Sequence, residues 1–126
     1  MKDASPVIER HRGFHEVMKN YPGIKVVTLE SNWKMERAQE LMKQYLDKGG
    51  HADGVFGHSD LGAIGAFLEA ERRGIDKQML IVGIDGLPGE WEGVDRVKRG
   101  QFAASYVYPT QGEKIMELAM NILQGK

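Results

Sequence analysis

The stretch Leu80-Ile81-Val82-Gly83-Ile84-Asp85-Gly86 decides how this chain folds. A short apolar run that is rich in β-branched residues predicts a buried strand of a parallel sheet. The run ends at Asp85, and a glycine follows it. In open α/β sheets, ligands bind outside the carboxyl ends of the strands, so a carboxylate here is placed to accept hydrogen bonds from a ligand.

A second stretch repeats this pattern earlier in the chain. The run Ala52-Asp53-Gly54-Val55-Phe56-Gly57 leads directly into His58-Ser59-Asp60. Because the carboxyl ends of parallel strands meet at one edge of a sheet, these polar side chains and Asp85 are expected on the same rim. The two stretches predict a binding site built at that rim more than they predict any one catalytic motif.

Length and composition predict a single globular domain over residues 1–126. The chain has 126 residues, of which 41% are hydrophobic and 28% are charged, and this length accommodates one domain with its own core. A formal net charge of −1 argues against a nucleic-acid-binding protein, which needs a basic surface. The absence of cysteine excludes disulfide frameworks and thiolate metal sites, but it does not distinguish between compartments.

The sequence contains no apolar run long enough to cross a bilayer. The opening residues, Met1 to Pro6, lack the apolar core of a signal peptide. We therefore expect either a cytoplasmic protein or a leader that lies outside this sequence.

Helical and strand patterns alternate along the chain. Apolar spacing, caps and breakers predict helices over Ser5 to about Lys19, Ser31 to Gly49-Gly50, Leu61 to about Arg73, Pro88 to Arg99 and Gln111 to Leu123. Short apolar runs predict strands at Ile24–Leu29, Gly54–Gly57, Met79–Ile84 and Phe102–Tyr108. Helices between strands imply right-handed crossovers and a parallel sheet covered on both faces. The predicted fold class is α/β: a three-layer αβα sandwich with a Rossmann-like or flavodoxin-like sheet, which here opens with a helix instead of the usual first strand.

Four stretches are informative in combination: SPVIERHRGF at 5–14, DGVFGHSDLGAIGA at 53–66, IVGIDG at 81–86 and VDRVKRGQFAAS at 94–105. Together they resemble the C-terminal lobe of a type I periplasmic sugar-binding protein, close to the ribose-binding group. The resemblance covers nearly all of the chain. It implies two Rossmann-like lobes joined by a hinge, with a sugar held in the cleft between them. It also implies a fragment that lacks the N-terminal lobe and the first helix and strand of this lobe.

The resemblance assigns three residues to the sugar. Arg10 matches an arginine that donates to sugar hydroxyls, Trp33 an aromatic residue that packs on the ring, and Asp85 an aspartate that accepts from two hydroxyls. Each also has an ordinary interpretation: a solvated helix arginine, an aromatic residue covering a helix end, and an aspartate in a turn. The fixed donors of a guanidinium, the stacking of sugar C–H faces on indole and the rim position favour ligand contact.

Three further positions carry weaker assignments to the same site. Ser59 falls where ribose binders carry asparagine, Asp60 follows it as in the family, and Tyr108 falls where ribose binders carry glutamine. Ser59 and Asp60 also make a typical N-cap pair for the next helix, and Tyr108 is equally suited to hinge packing. The departures at Ser59 and Tyr108 argue against ribose itself, while the sugar class is retained.

The function that the resemblance implies is carbohydrate binding by a non-enzyme, without a cofactor or a metal ion. His11 and His15 lie one helical turn apart, but no third ligand follows at a fitting spacing. The expected ligand is a monosaccharide. The expected partners are the missing N-terminal lobe and a membrane transporter or sensor kinase, which places the protein in the periplasm.

Two alternatives remain open. Within the family, the chain is also compatible with the sugar-effector domain of a cytoplasmic transcriptional repressor. From another class, a receiver-like or flavodoxin-like domain would have a phosphoacceptor, nucleotide or flavin role. Its Mg²⁺ cluster would use Glu30, Asp60 and Asp85, and it would need a lysine at a later strand end, where this chain has Tyr108.

One strand of the predicted sheet is missing. In a flavodoxin-like order the first strand lies between the second and the third, so the strands at 24–29 and 54–57 would flank a gap lined by unpaired backbone groups. Direct pairing of these two strands would crowd the helices on each face. We therefore expect two copies of the chain to exchange residues into the gap and form a homodimer.

Overall fold

The computed structural model describes residues 5–109 and 111–125. The first four residues, which belong to the opening stretch assessed as a leader, lie outside the described residues. The elements in chain order are α1 (Ser5–Met18), α2 (Met35–Asp47), β1 (Gly54–Phe56), α3 (Asp60–Arg72), a 3₁₀ turn (Asp76–Gln78), β2 (Leu80–Asp85), α4 (Gly93–Lys98), β3 (Ala104–Val107) and α5 (Gly112–Leu123).

The strands form one parallel sheet in the order β1-β2-β3. Val55 of β1 lies opposite Ile81 of β2, and Val82 of β2 lies opposite Ala104 of β3. Helix α3 connects β1 to β2 and helix α4 connects β2 to β3, as parallel neighbours require. The α/β fold class and the parallel sheet predicted from the sequence are confirmed.

Helices cover both faces of the sheet. Val55 packs against the buried cluster that includes Phe67 of α3 and Ile81 of β2. The next residue, Phe56, stacks on Phe14 of α1, with ring centroids 5.0 Å apart. Successive residues of a strand point to opposite faces, so α3 and α1 lie on opposite sides of β1, in three layers.

Helix α3 is the centre of the core. Its N-cap is Ser59, whose Oγ accepts a hydrogen bond of 3.2 Å from the amide of Gly62. Ala63 and Phe67 are buried with Ile81 and Phe102. Gly65 permits α2 to approach closely, because a Cβ atom there would lie 2.3 Å from the carbonyl oxygen of Met35. The α2–α3 contact therefore requires a glycine at this position.

The segment 24–29 is the main departure from the predicted elements. The sequence predicts a strand here, whereas the structure assigns no strand to these residues. Ile24, Val27 and Leu29 are 54%, 46% and 43% exposed. A strand is stabilised by backbone hydrogen bonds to a neighbouring strand. A cavity separates this segment from β1, so it has no such neighbour among the described residues. Its β-branched composition alone therefore does not make it part of the sheet.

Two helices begin later than their sequence patterns predict. Helix α2 begins at Met35 and not at Ser31, because Asn32 and Trp33 have left-handed φ angles of 52° and 65°. Helix α4 begins at Gly93 and not at Pro88, because Trp91 has a φ of 67°. A non-glycine residue in this region cannot belong to a right-handed helix.

Helix α5 forms as predicted, but none of its residues is buried. Its apolar side chains lie largely in solvent: Ile115, Met116, Leu118 and Ile122 are each at least 60% exposed. Within residues 5–109 and 111–125, no element covers this face. Helix α5 therefore does not cover the sheet in the way that the predicted sandwich requires.

The C-terminal ends of α2 and α3 are joined by charges around Glu69. This side chain is 1% exposed, and it accepts hydrogen bonds from Arg72 and Arg73 at 2.6–2.8 Å. Arg73 also binds the carboxylate of Asp47 on α2. The hydrogen bonds from Arg72, and then those from Arg73, lower the pKa of the Glu69 carboxyl from 4.5 to about 2 against the opposing effect of burial.

We predict that Glu69→Gln lowers the free energy of unfolding at pH 7 by about 1.5–3 kcal/mol, the usual contribution of hydrogen bonds to a charged group. Because the folded pKa is lowered, this contribution is fully present above pH 4.5 and is lost as the pH falls through about 2. Urea unfolding at pH 7 and at pH 2–3 measures it. Glu71→Gln, an exposed residue on the same helix, is the control. An equal effect of both substitutions, or an effect independent of pH, would contradict the assignment.

Candidate functional site

Polar and aromatic side chains converge at the carboxyl end of the sheet. His58 follows β1, Asp85 ends β2 and Tyr108 follows β3. Arg10 reaches this rim from α1, and Trp33 reaches it from the turn before α2. Four of the six predicted ligand contacts therefore lie together: Arg10, Trp33, Asp85 and Tyr108.

The guanidinium of Arg10 is the centre of this group. It lies 4.9 Å from the ring centroid of Tyr108 and 5.6 Å from that of Trp33, within the range of a cation–π interaction. It also donates a hydrogen bond to the backbone carbonyl of His58. Its Nη2 atom lies 4.0 Å from Oδ1 of Asp85. The side chain is 12% exposed, so these contacts hold it in one place.

Asp85 is held in a strained backbone conformation. Its φ is 136°, a region that non-glycine residues rarely adopt. Its Oδ2 atom accepts a 3.4 Å hydrogen bond from the Asp60 amide, and its Oδ1 atom faces Arg10. Burial and the charge of Asp60 raise the pKa of the Asp85 carboxyl above its ordinary value, against the opposing effects of the Asp60 amide and the charge of Arg10. Because Oδ1 lies 4.0 Å from Arg10, beyond direct hydrogen-bond distance, it keeps acceptor capacity at the rim.

Asp60 lies behind the rim, in the interior. Its side chain is fully buried. Oδ2 accepts hydrogen bonds from the amides of Gly86 and Leu87 at 3.1 and 3.4 Å, and Oδ1 accepts one of 2.6 Å from Ser105 Oγ. These bonds fix the loop after Asp85. In this structure Asp60 positions the neighbouring aspartate and has no surface on which a ligand could bind.

Ser59 also has a structural role. Its side chain is 6% exposed and caps α3 through the amide of Gly62. Ser59 therefore acts as the N-cap of α3 in this structure, and its side chain is not exposed at the rim. Trp33 is different, because it is partly exposed in a tight turn closed by a 3.1 Å hydrogen bond from Lys34 to Ser31.

His58 is the rim residue whose role the sequence analysis missed. It contributes its backbone carbonyl, which accepts from Arg10, and no side-chain pattern predicts such a contact. Its ring lies 6.3 Å from that of His11. Burial lowers the pKa of the His58 imidazole, and the charges of His11, Arg10 and His15 lower it further. These effects favour the neutral form of the ring.

Among the residues that the structure describes, no group of three or more histidine, cysteine, aspartate or glutamate residues is arranged to hold a metal ion. In the same ranges, no helix has both the length and the apolar character needed to cross a membrane.

The rim combines one acceptor, one multiple donor and two flat aromatic faces. Asp85 accepts hydrogen bonds, Arg10 donates them, and the rings of Trp33 and Tyr108 offer apolar surfaces. These are the kinds of groups that can hold a small polar molecule, and they lie at the carboxyl edge of a parallel sheet, where ligands bind in such folds.

Comparisons with known proteins agree with this interpretation. A family model described as "Periplasmic binding protein domain" matches residues 1–126, so the chain belongs to this family. It is 39% identical over 100 residues to the xylitol-binding protein of Mycolicibacterium smegmatis, a match to 75% of this chain and 27% of that protein. It is 32% identical over 89 residues to the ribose operon repressor of Halalkalibacterium halodurans, covering 69% of this chain and 27% of the repressor.

A solved structure shows the same fold. The fructose-binding periplasmic domain of a hybrid two-component system superposes with a TM-score of 0.90 at 36% identity, over 97% of this chain and 41% of that chain. The chain spans about a quarter of the length of the curated relatives named above. The resemblance to periplasmic sugar-binding proteins found in the sequence is confirmed at the level of the family.

We predict that Gly93→Ala disrupts the support of Asp85. A Cβ atom at residue 93 would lie 1.9 Å from Oδ2 of Asp60, so the carboxylate must move away from the Gly86 amide. We expect a loss of about 1–3 kcal/mol in the free energy of unfolding, the usual cost of overpacking. Faster hydrogen exchange at the Gly86 amide is expected with it, and urea unfolding and NMR exchange measure the two effects.

Gly13→Ala is the matched control for this prediction. Position 13 lies in α1, and nothing lies within 4 Å of a Cβ atom added there. Alanine in a helix interior is more favourable than glycine, so this variant should keep its stability. A Gly93→Ala protein with unchanged stability and unchanged exchange at Gly86 would show that Asp60 does not hold the loop.

Proposed function

We propose that this chain is the sugar-binding lobe of a two-lobed solute-binding protein that delivers a monosaccharide or a related polyol to a membrane transporter or sensor kinase. The observation that carries the proposal is the position of the Arg10 guanidinium, 4.0 Å from the Asp85 carboxylate and in contact with two aromatic rings. Membership of the periplasmic binding protein family supports it. The names of two similar proteins, a xylitol-binding protein and a fructose-binding domain, also support it.

The gap between Arg10 and Asp85 suits a hydroxyl group. At 4.0 Å their nearest atoms are too far apart for a direct hydrogen bond. A hydroxyl between them donates to the carboxylate and accepts from the guanidinium, so both partners are satisfied at once. Neighbouring hydroxyls of a sugar allow Asp85 to accept from two of them.

The aromatic rings complete the recognition of a sugar. Trp33 and Tyr108 flank the guanidinium, and the C–H face of a sugar ring stacks favourably on such surfaces. In our proposal Asp60 and Ser59 act through the backbone that they hold, and closure of the second lobe over the rim excludes water. The proposed activity is ligand binding alone, with no chemical step, so it needs neither a cofactor nor a metal ion and the protein is not an enzyme.

The periplasm is the compartment that fits this function. The fructose-binding neighbour is described as a periplasmic domain, and transport or sensing of an external sugar takes place there. The missing N-terminal lobe would supply the second wall of the cleft.

A second candidate function is sugar binding by the effector domain of a transcriptional repressor. The likeness to a ribose operon repressor supports a sugar-effector domain that acts in the cytoplasm. In that case lobe closure would control a DNA-binding segment elsewhere in the protein. The net charge of −1 gives this chain no overall positive charge with which to attract DNA.

We predict that, in a protein with both lobes, Asp85→Ala weakens sugar binding more than any other rim substitution. Loss of the acceptor leaves two sugar hydroxyls without their partner in the site, which costs roughly 2–4 kcal/mol, or about 30- to 1000-fold in Kd. Trp33→Ala should come next, through lost stacking. Calorimetry with xylitol, fructose, ribose and allose provides the measurement.

Asp53→Ala is the control, because Asp53 is 94% exposed at the opposite end of β1. It should leave Kd unchanged. If folded Asp85→Ala and Trp33→Ala proteins bind every responsive sugar as tightly as the parent does, the rim is not the sugar site.

We also predict that the 126-residue chain binds these sugars weakly by itself. One lobe supplies half of the contacts and leaves the ligand in water, so each hydrogen bond is offset by hydration. Calorimetry should show little heat with the same sugars at millimolar concentration. Micromolar affinity of the isolated chain would argue against lobe closure as the source of binding.

A further inference from the structure

Three histidines that lie far apart in the sequence form a cluster beside the rim. His11 and His15 lie one turn apart on α1, with ring centroids separated by 4.2 Å. His58, which follows β1, brings a third ring to 6.3 Å from that of His11. Histidine is the side chain that ordinarily changes its charge between pH 5 and 8. The cluster therefore adds groups that can titrate next to the proposed sugar site.

His58 connects this cluster to the sugar site. Its backbone carbonyl accepts the hydrogen bond from the guanidinium of Arg10, and its ring contacts that of His11, the next residue along α1. The backbone and the side chain of one residue thus contact two successive residues of the same helix. A charge on the His58 ring would lie beside the guanidinium that the proposed function assigns to the sugar.

Aromatic side chains enclose one side of the His58 ring. The edge of this ring meets Phe56 with the centroids 5.4 Å apart, and Phe56 stacks on Phe14 of α1. A partly buried imidazole loses part of the hydration that stabilises its protonated form. Burial accordingly lowers the pKa of the His58 ring.

Helix α1 surrounds the other side of the ring with positive charge. The charges of His11, Arg10 and His15 each lower the pKa of His58 further. The acidic residues of this helix do not bind the ring, because Glu9 is paired with Arg12 at 2.5 Å and Glu16 is exposed without such a contact. Protonation of His58 would therefore place a cation among cations.

The carboxylates of the other neighbouring elements also leave the three rings unpaired. Asp85 of β2 faces Arg10, and Asp60 at the start of α3 accepts from Gly86, Leu87 and Ser105. Glu30, before the turn that carries Trp33, is exposed and pairs with none of the rings. Within residues 5–109 and 111–125, the one ion pair that includes a histidine joins His51 to Asp53, at the opposite end of β1.

We propose that His58 is a positioning residue for Arg10: with a neutral ring it holds the guanidinium at the rim, and its protonation releases the guanidinium, so that sugar affinity falls in mildly acidic solution. This inference rests on the proposed sugar-binding function. The released guanidinium no longer keeps the 4.0 Å separation from Asp85 into which a hydroxyl fits. Repulsion between two cations is stronger in a partly buried site than in water, and movement of the Arg10 side chain relieves it.

The direction of the pH dependence follows from the surroundings of His58. Because its pKa in the folded protein lies below 6.5, the contact with Arg10 is fully present above about pH 6.5 and is lost as the pH falls through the folded value. Linkage is reciprocal. A sugar that requires Arg10 at the rim must therefore disfavour protonation of His58, and its binding releases protons.

Calorimetry with xylitol and fructose on a protein with both lobes tests this dependence. The Kd should be about fivefold or more weaker at pH 5.5 than at pH 7.5, and heats in two buffers of different ionisation enthalpy should show proton release near pH 6. His58→Gln, which stays neutral, should remove this difference. Asp85 can also titrate, but its contribution remains in His58→Gln, so the two profiles isolate His58.

His51→Gln is the matched control. His51 precedes β1 as His58 follows it, and its side chain is 77% exposed. This variant should keep both the Kd at pH 7.5 and the pH profile of the parent protein. A parent Kd that is the same at both pH values would overturn the proposal, and so would an unchanged pH profile in His58→Gln.

NMR of the 126-residue chain tests the same coupling without a sugar. The Nε–H signal of Arg10 should shift with the midpoint of the His58 titration, whereas that of Arg73, which is bound to Glu69, should not. His11→Gln removes a charge that lowers the pKa of His58, so it should move both midpoints to higher pH, and it serves as the second variant if His58→Gln does not fold.

The two measurements separate this inference from the proposed function. An Arg10 signal that does not follow His58 would show that the ring does not position the guanidinium. Absence of sugar binding at every pH, together with an Arg10 signal that follows His58, would contradict the proposed function while leaving the contact between these two residues pH-dependent.

Discussion

The buried carboxylate of Asp60 connects the regions of all three strands. Asp60 is the first residue of α3, the helix after β1, and its carboxylate accepts hydrogen bonds from the amides of Gly86 and Leu87 beyond β2 and from the hydroxyl of Ser105 in β3. A carboxylate removed from water is very unfavourable unless hydrogen bonds replace its hydration. Three donors do so here, and this requirement fixes the relative positions of the strand ends.

The same carboxylate explains two glycines in the neighbouring elements. A Cβ atom at Gly83 would lie 2.2 Å from Oδ1 of Asp60, and one at Gly93 would lie 1.9 Å from Oδ2. Side chains at these positions would occupy the space that the carboxylate needs. The loop that follows β2 is therefore held closely, and it holds Asp85 in a backbone conformation that this residue would not adopt by itself. Asn32 and Trp33 at the same rim also have positive φ angles, as is common where a structure positions functional groups.

Packing is uneven across the molecule. The contact of α3 with α2 and β2 contains most of the buried apolar residues, including Phe67 and Ile81. The 24–29 segment and helix α5 lie outside this core with their apolar side chains exposed. The division follows from secondary structure, because a strand edge and an amphipathic helix gain stability only when a neighbour covers them. These two parts would gain most stability from a neighbouring element that covered them.

The sequence by itself determined the elements that depend on local signals. The apolar run from Leu80 to Asp85 forms β2, Ser59 caps α3, and the α/β alternation predicts the parallel sheet. The family follows from motifs that lie in these same elements. Asp85 at the end of its strand was also recognisable as a rim residue, because strand ends mark the ligand-binding edge of such sheets.

Only the tertiary structure decided which aspartate faces outward. Asp60 comes after the apolar strand β1 and Asp85 ends the apolar strand β2, and their local sequences do not show that one is fully buried while the other faces Arg10. The backbone contact between Arg10 and His58 has no side-chain signature at all. The 24–29 segment has the composition of a strand but does not pair, because a strand requires a neighbouring backbone that local sequence cannot supply. These features depend on long-range hydrogen bonds and on burial, which the preferences of single residues do not determine.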